Sequence, residues 1–117
     1  MCKEAAMLLS FDSIPETVIP SFRGGTGQTH TRMYIDESNK IMRGLLPPGA
    51  SIGAHVHETS SEIIWILSGT GKVLCDDTEE LLGPGSCHYC PMGHRHSLIN
   101  CGSEDLVFFA VVPEHRL

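Results

Sequence analysis

An antiparallel all-β barrel or sandwich is the fold the sequence predicts, and three observations carry it. Short runs of strand-like composition recur from His30 to Val112, each bounded by Gly, Pro or Asp. No stretch keeps a 3.6-residue apolar period long enough for an ordinary helix. A chain of 117 residues suits one domain with one core. No repeat, linker or composition break divides it. Residues 1–117 are expected to form a single domain, with 1–30 as an N-terminal arm and loop and 31–112 as the barrel.

Each element follows in order. Residues 1–10 fit either a short helical turn or an edge strand. Residues 12–30 hold Pro15, Pro20 and the run Gly24-Gly25-Thr26-Gly27, so they read as loop. That run lacks the Gly-Lys-Ser/Thr of a phosphate loop and reads as a flexible connector. From His30 to Ile35 the chain alternates: His30, Arg32 and Tyr34 share one face, and Thr31, Met33 and Ile35 the other. Asp36-Glu37-Ser38-Asn39 is a turn, residues 40–46 a strand, and Pro47-Pro48-Gly49 a break. Strands are then predicted near 50–57, 62–68, 71–76, 79–82, 86–90, 95–100 and 105–112. Gly49, Gly69, Gly85 and Gly93 fall at reversals between strands, where positive φ is often required.

Two of these strands are apolar on both faces. Ile63, Trp65 and Leu67 oppose Ile64 and Ile66; Val107 and Phe109 oppose Phe108 and Ala110. A strand with one wet face should alternate apolar and polar. Something therefore covers the outside of the sheet, either the chain's own N-terminal segment or a second copy in a homodimer.

Charge and cysteine usage narrow the class. The formal net charge of −6, with no basic cluster, argues against nucleic acid and anionic membrane surfaces as partners. The acidic N-terminal stretch is a poor secretory signal, and no apolar stretch approaches a membrane span of about 18 residues. A cytoplasmic location is expected. Cys87 and Cys90 form a C-x2-C, but positions three apart in a strand face opposite ways, roughly 10 Å apart. That is too far for a disulfide. No second C-x2-C completes a structural zinc site. The five cysteines read as free thiols in a reducing compartment.

The most informative residues are three histidines and a glutamate. The first segment runs Gly49-Ala-Ser-Ile-Gly-Ala-His55-Val-His57-Glu-Thr-Ser-Ser-Glu62 and closes at Gly69. The second runs from Gly85 through Pro91 and Gly93 to His96 and Asn100. His55 and His57 are two apart, so in a strand both imidazoles project to one side, roughly 7 Å apart along the backbone. A reversal over the polar residues after His57 would return Glu62 beside them, and His96 must arrive from a third strand. Three imidazoles and one carboxylate suit a divalent first-row transition metal.

These residues resemble the cupin family, whose motifs are G-x5-H-x-H-x(3,4)-E-x6-G and G-x5-P-x-G-x2-H-x3-N. Gly49, His55, His57, Glu62 and Gly69 match the first; Gly85, Pro91, Gly93, His96 and Asn100 match the second. The resemblance implies a small antiparallel barrel of the double-stranded β-helix, or jelly-roll, type. It also implies one divalent metal ion held by His55, His57, Glu62 and His96. Iron, manganese, nickel, cobalt, copper and zinc all fit that set. The resemblance implies no particular reaction, because one fold hosts many chemistries.

Outside the motifs, His30, Arg32 and Tyr34 are the candidate catalytic residues. On an inward-facing strand they would line the mouth of the barrel. Arg32 would clamp an anionic group, and Tyr34 or His30 would move a proton. Ile64 and Ile66 would fill the barrel's depth. His94, His88 and His115 read as a loop, a structural and a solvated histidine. Two functions from different classes follow. One is a metal-dependent isomerase, lyase or dioxygenase acting on a small sugar derivative or hydroxy or keto acid. The other is a non-catalytic small-ligand-binding or sensing module.

Overall fold

The computed structural model describes residues 7–115. Among them are ten strands: β1 (Thr17–Pro20), β2 (Gln28–Ile35), β3 (Asn39–Leu46), β4 (Ser51–Val56), β5 (Glu62–Ser68), β6 (Gly71–Cys75), β7 (Thr78–Leu82), β8 (Cys87–Cys90), β9 (Arg95–Ile99) and β10 (Leu106–Pro113). They make two sheets, ordered β1-β2-β3-β10-β5-β8 and β4-β9-β6-β7, with antiparallel pairing between neighbours. This is the all-β jelly-roll arrangement expected. The long-range pairs β3 with β10 and β4 with β9 wrap the chain into a double-stranded β-helix.

The loop expected over residues 12–30 is corrected. That stretch holds β1 and two short 3₁₀ turns, Phe11–Ser13 and Phe22–Gly24. β1 is the outermost strand of its sheet, and an edge strand tolerates Pro20 because one side makes no ladder hydrogen bonds. β2 begins at Gln28, so the expected boundary at residue 30 falls inside a strand. For residues 1–10, the reading over 1–6 lies outside the described residues, and 7–10 form neither helix nor strand.

Side-chain alternation builds the core between the sheets. Met42 and Leu46 of β3, Ile64 and Ile66 of β5, and Leu106, Phe108 and Ala110 of β10 all point inward and are buried. Val73 and Leu98 face them from the smaller sheet. Phe108 is paired with Gly44 across the β3–β10 ladder, and a Cβ at Gly44 would overlap the Phe108 ring. The missing side chain is what lets the largest core residue lie flat on β3.

The outer face of the larger sheet is apolar at its centre. Ile63, Trp65 and Leu67 remain 38%, 48% and 40% exposed. The N-terminal segment covers part of that face. Phe11 stacks edge-on against Phe109, with ring centroids 5.1 Å apart. Arg32 Nη1 donates to Ile14 O at 2.6 Å, and Arg43 Nη2 to Asp12 Oδ1 at 2.6 Å. Among the described residues, the chain's own arm thus covers the β3–β10 side and leaves the β5 residues open.

Candidate metal centre

The four motif residues converge between the two sheets. His55 lies on β4, His57 just past its end, Glu62 opens β5, and His96 is the second residue of β9. A bulge makes the β4 geometry work. Ile52 and His55 are three apart and would face opposite ways in a regular strand. The β4–β9 register shifts between them, so Ile52 points into the core and His55 pairs with His96. The turn at Gly93 is tied to the same segment, since Gly93 N donates to His57 O at 2.8 Å with φ of +87°.

Around Glu62 Oε1 stand His57 Nε2 at 2.8 Å, His96 Nε2 at 2.9 Å and His55 Nε2 at 3.8 Å. The four side chains are 7–13% exposed, except His96 at 2%. Their ligating atoms lie within 4.8 Å of one another. Donors about 2.0–2.2 Å from one ion sit about 3–4 Å apart, so small adjustments close the shell. His96 Nε2 is buried and, despite its closeness to Glu62, lacks the alignment of a hydrogen bond. One carboxylate oxygen facing three imidazole nitrogens is a donor set shaped for a cation.

The far side of each ring is held. His55 Nδ1 donates to Gly53 O at 2.7 Å; a carbonyl only accepts, so the neutral ring presents a lone pair at Nε2. His57 Nδ1 pairs with Ser60 Oγ at 3.1 Å, and His96 Nδ1 with His88 Nε2 at 3.1 Å. Such outer partners set ring orientation in metal sites. Burial acts to raise the Glu62 pKa. The three imidazoles gathered around its carboxylate, with His57 Nε2 hydrogen-bonded at 2.8 Å, overcome that and hold the carboxyl well below its ordinary value. Burial, then the charge of His96, pushes the His88 pKa down.

The histidine, arginine and tyrosine that would line the barrel's mouth on an inward-facing strand lie elsewhere. His30, Arg32 and Tyr34 do share a face, but it is the outer one. The inner face of β2 is taken by Thr29, Thr31 and Met33. His30 Nδ1 pairs with Glu16 Oε1 at 3.1 Å, Arg32 holds the N-terminal arm, and Tyr34 Oη donates to Asp36 Oδ2 at 3.2 Å. None of the three lines the cavity at the four ligands. Among the other histidines, His94 is bound to Asp76 at 2.6 Å on the surface. His115, expected to be solvated, pairs through Nε2 with Ser61 Oγ at 2.8 Å.

The cavity itself measures about 210 Å³. Its depth is apolar as expected, with Met42, Ile52, Ile64 and Leu98 among its walls. Its charged residues beyond the four are Arg23 and Lys40. Sequence reading missed both. Arg23 sits in the glycine-flanked turn with left-handed φ of 55°, and Lys40 opens β3. Their positive charge beside a His/Glu group was not signalled by any motif.

Comparison with known proteins agrees with this geometry. The sequence profile of the cupin domain matches residues 42–112. The oxalate-binding protein of Thermotoga maritima is 31% identical over 118 residues, spanning 96% of this chain and 98% of that protein. A crystal structure of a predicted oxalate decarboxylase from Thermotoga maritima superposes with a TM-score of 0.87 at 30% identity, covering 92% of this chain and 99% of that one. A sugar phosphate isomerase of the cupin superfamily from Silicibacter pomeroyi shares the fold, with a TM-score of 0.74 at 21% identity over 92% of this chain and 76% of that one. With both motifs complete, their four side chains gathered in one place and the domain profile spanning most of the barrel, the chain belongs to the cupin family.

Proposed function

We propose that this protein binds a small oxygen-rich anion, of the size and charge of oxalate or a short 2-oxo or hydroxy acid, at a divalent metal held by His55, His57, Glu62 and His96. The observation that carries the reading is the pairing of that ligand set with Arg23 and Lys40 in one cavity whose other walls are apolar. Four protein donors leave two positions on an octahedral ion, enough for a chelating carboxylate. A metal there supplies Lewis-acid attraction for ligand oxygens. The chain's own part is to neutralise the anion's charge with Arg23 and Lys40, to exclude water with Ile64, Met42 and Leu98, and to limit length by cavity volume. The oxalate-binding relative supports the same ligand class. Among the described residues, the walls lack the neutral polar side chains that would read sugar hydroxyls. The free thiols suit the cytoplasm as its compartment.

A second reading, a metal-dependent lyase or dioxygenase, draws on the same open positions. It is the less favoured because, among the described residues, the cavity offers no acid or base besides the four ligands, Arg23 and Lys40. Calorimetry of oxalate against metal-loaded protein, with carbon dioxide followed in parallel, tests both. Saturable binding that needs the metal, without carbon dioxide release, is expected. Release with turnover would establish the lyase reading instead. Failure of oxalate and short keto acids to bind the loaded protein would end the proposal. Arg23→Ala and Lys40→Ala should each weaken binding by about 1 kcal/mol, below the ~1.5–3 kcal/mol of a desolvated charge-assisted bond because both cations are exposed. Arg32→Ala should leave binding unchanged.

The proposal includes a homodimer formed on the open β5 face of Ile63, Trp65 and Leu67. Contiguous exposed apolar surface of this kind commonly marks an interface. Trp65→Glu is expected to give monomers or aggregates. Sedimentation that finds the unmodified protein monomeric at every concentration refutes the dimer.

A further inference from the structure

We infer that Cys75, His88 and Cys90 form a second metal site, for a thiophilic d¹⁰ cation such as Zn²⁺ or Cu⁺, separate from the His/Glu centre. His88 and Cys90 lie two apart on β8 and share its inner face; they are 4% and 0% exposed. Cys75 ends β6 in the opposite sheet and is half-buried. The two sheets therefore close on one small group of soft donors. One donor atom from each residue lies within 4.8 Å of the others. Around zinc, sulfur at about 2.3 Å and nitrogen at about 2.0–2.1 Å place donors about 3.5–3.8 Å apart. Closure asks for movement of about 1 Å or less. Two sulfurs and one imidazole complete a trigonal shell for Cu⁺. For zinc, Glu80, whose Oε1 is 3.8 Å from His88 Nδ1, can supply a fourth donor.

Strand alternation explains why the C-x2-C does not make this site by itself. Cys87 is exposed on the outer face, and the inward Cys90 takes its partner from β6 instead. Burial first, then the neighbouring Cys75, pushes the Cys90 thiol up to about 12. Without a cation the Cys90 thiol stays protonated and faces Pro91 O at 3.9 Å and His94 O at 3.7 Å; a bound cation displaces the thiol protons. The half-buried Cys75 gives a way in. No ligand is shared with the first centre, but one proton lies between His88 Nε2 and His96 Nδ1, 3.1 Å apart; a metal on His96 Nε2 holds that proton on His96 Nδ1, so filling both centres together requires His88 to give up its Nδ1 proton. For that reason cysteine variants, rather than a His88 variant, isolate the second site.

Cadmium alone is the probe, because a sulfur-to-cadmium charge-transfer band reports thiolate ligation and a His/Glu site gives none. The full chain carrying C2S/C87S/C101S keeps Cys75 and Cys90 as its only thiols. This protein, reduced, should take up cadmium with that band. Adding C75S or C90S should each abolish it, with circular dichroism confirming the fold; the half-buried C75S serves if C90S fails to fold. A missing band in C2S/C87S/C101S, or one that survives C75S, overturns the site. So does recovery of Cys75 and Cys90 as a disulfide that persists in excess reductant.

Discussion

His96→Ala is expected to leave a folded barrel whose His/Glu centre no longer retains metal. His96 is the least exposed of the four ligands, and its ring is held at Nδ1 by His88 while Nε2 faces Glu62. Loss of a mere outer partner of a metal ligand typically weakens affinity 10–100-fold. Removing the ligand itself should exceed about 100-fold, or roughly 2.8 kcal/mol. His57→Ala should act alike, since His57 Nε2 is the nitrogen nearest Glu62 Oε1. His94→Ala is the control: two residues from His96, it is exposed and bound to Asp76, and it should keep full occupancy. Elemental analysis after dialysis decides the matter. Metal retained at full occupancy in both His57→Ala and His96→Ala would remove the centre from this protein. The further thiol site predicts a refinement: soft cations should persist in His57→Ala, bound at Cys75 and Cys90.

The contrast between these ligands and the residues around them shows what a sequence can carry. His55 and His57 were legible because a two-residue spacing in a strand dictates a shared face, and the fixed glycines and proline around them announce the turns. Ile64 and Ile66 were legible for the same reason, and both are buried. Alternation says which residues share a face, however, and not which face turns inward. His30, Arg32 and Tyr34 were grouped on one face with its direction left open, and in the structure that face turns outward, because small Thr29 and Thr31 fill the inside of β2. The Thr31 hydroxyl can lie there because it donates to Thr17 O at 3.1 Å, on a strand hidden among prolines. The β4 bulge left no mark either, as it depends on pairing with β9. Cys75 and Cys90 meet only across the two sheets, beyond any local pattern.

Gly53→Val should damage fold, metal affinity and ligand binding together, because one glycine serves all three. The turn carrying Arg23 is docked directly on β4. Ser51 N donates to Thr26 O at 2.9 Å, and Thr26 N to Ser51 Oγ at 3.0 Å. A Cβ at Gly53 would overlap the carbonyl oxygen of Arg23, with Gly24 C and Gly25 N each only 2.8 Å away. All three are backbone atoms, so no side chain can swing aside. A Cβ at Gly25 would likewise overlap Ser51 O. The glycine run that reads as a flexible connector is therefore a close backbone contact that places Arg23 over the cavity. Overpacking of this kind costs typically about 1–3 kcal/mol, and the rigid backbone on both sides puts valine at the upper end. Gly53 O also accepts from His55 Nδ1, so moving it frees the His55 ring. Metal affinity should fall about 10–100-fold. Displacing Arg23 should weaken oxalate by a further amount similar to Arg23→Ala. Gly83→Ala is the matched control, because a Cβ there meets nothing within 4 Å. Thermal melting with and without metal, followed by oxalate calorimetry, separates the three effects. If Gly53→Val melts, loads metal and binds oxalate as the unmodified protein does, the turn does not position Arg23 through this contact.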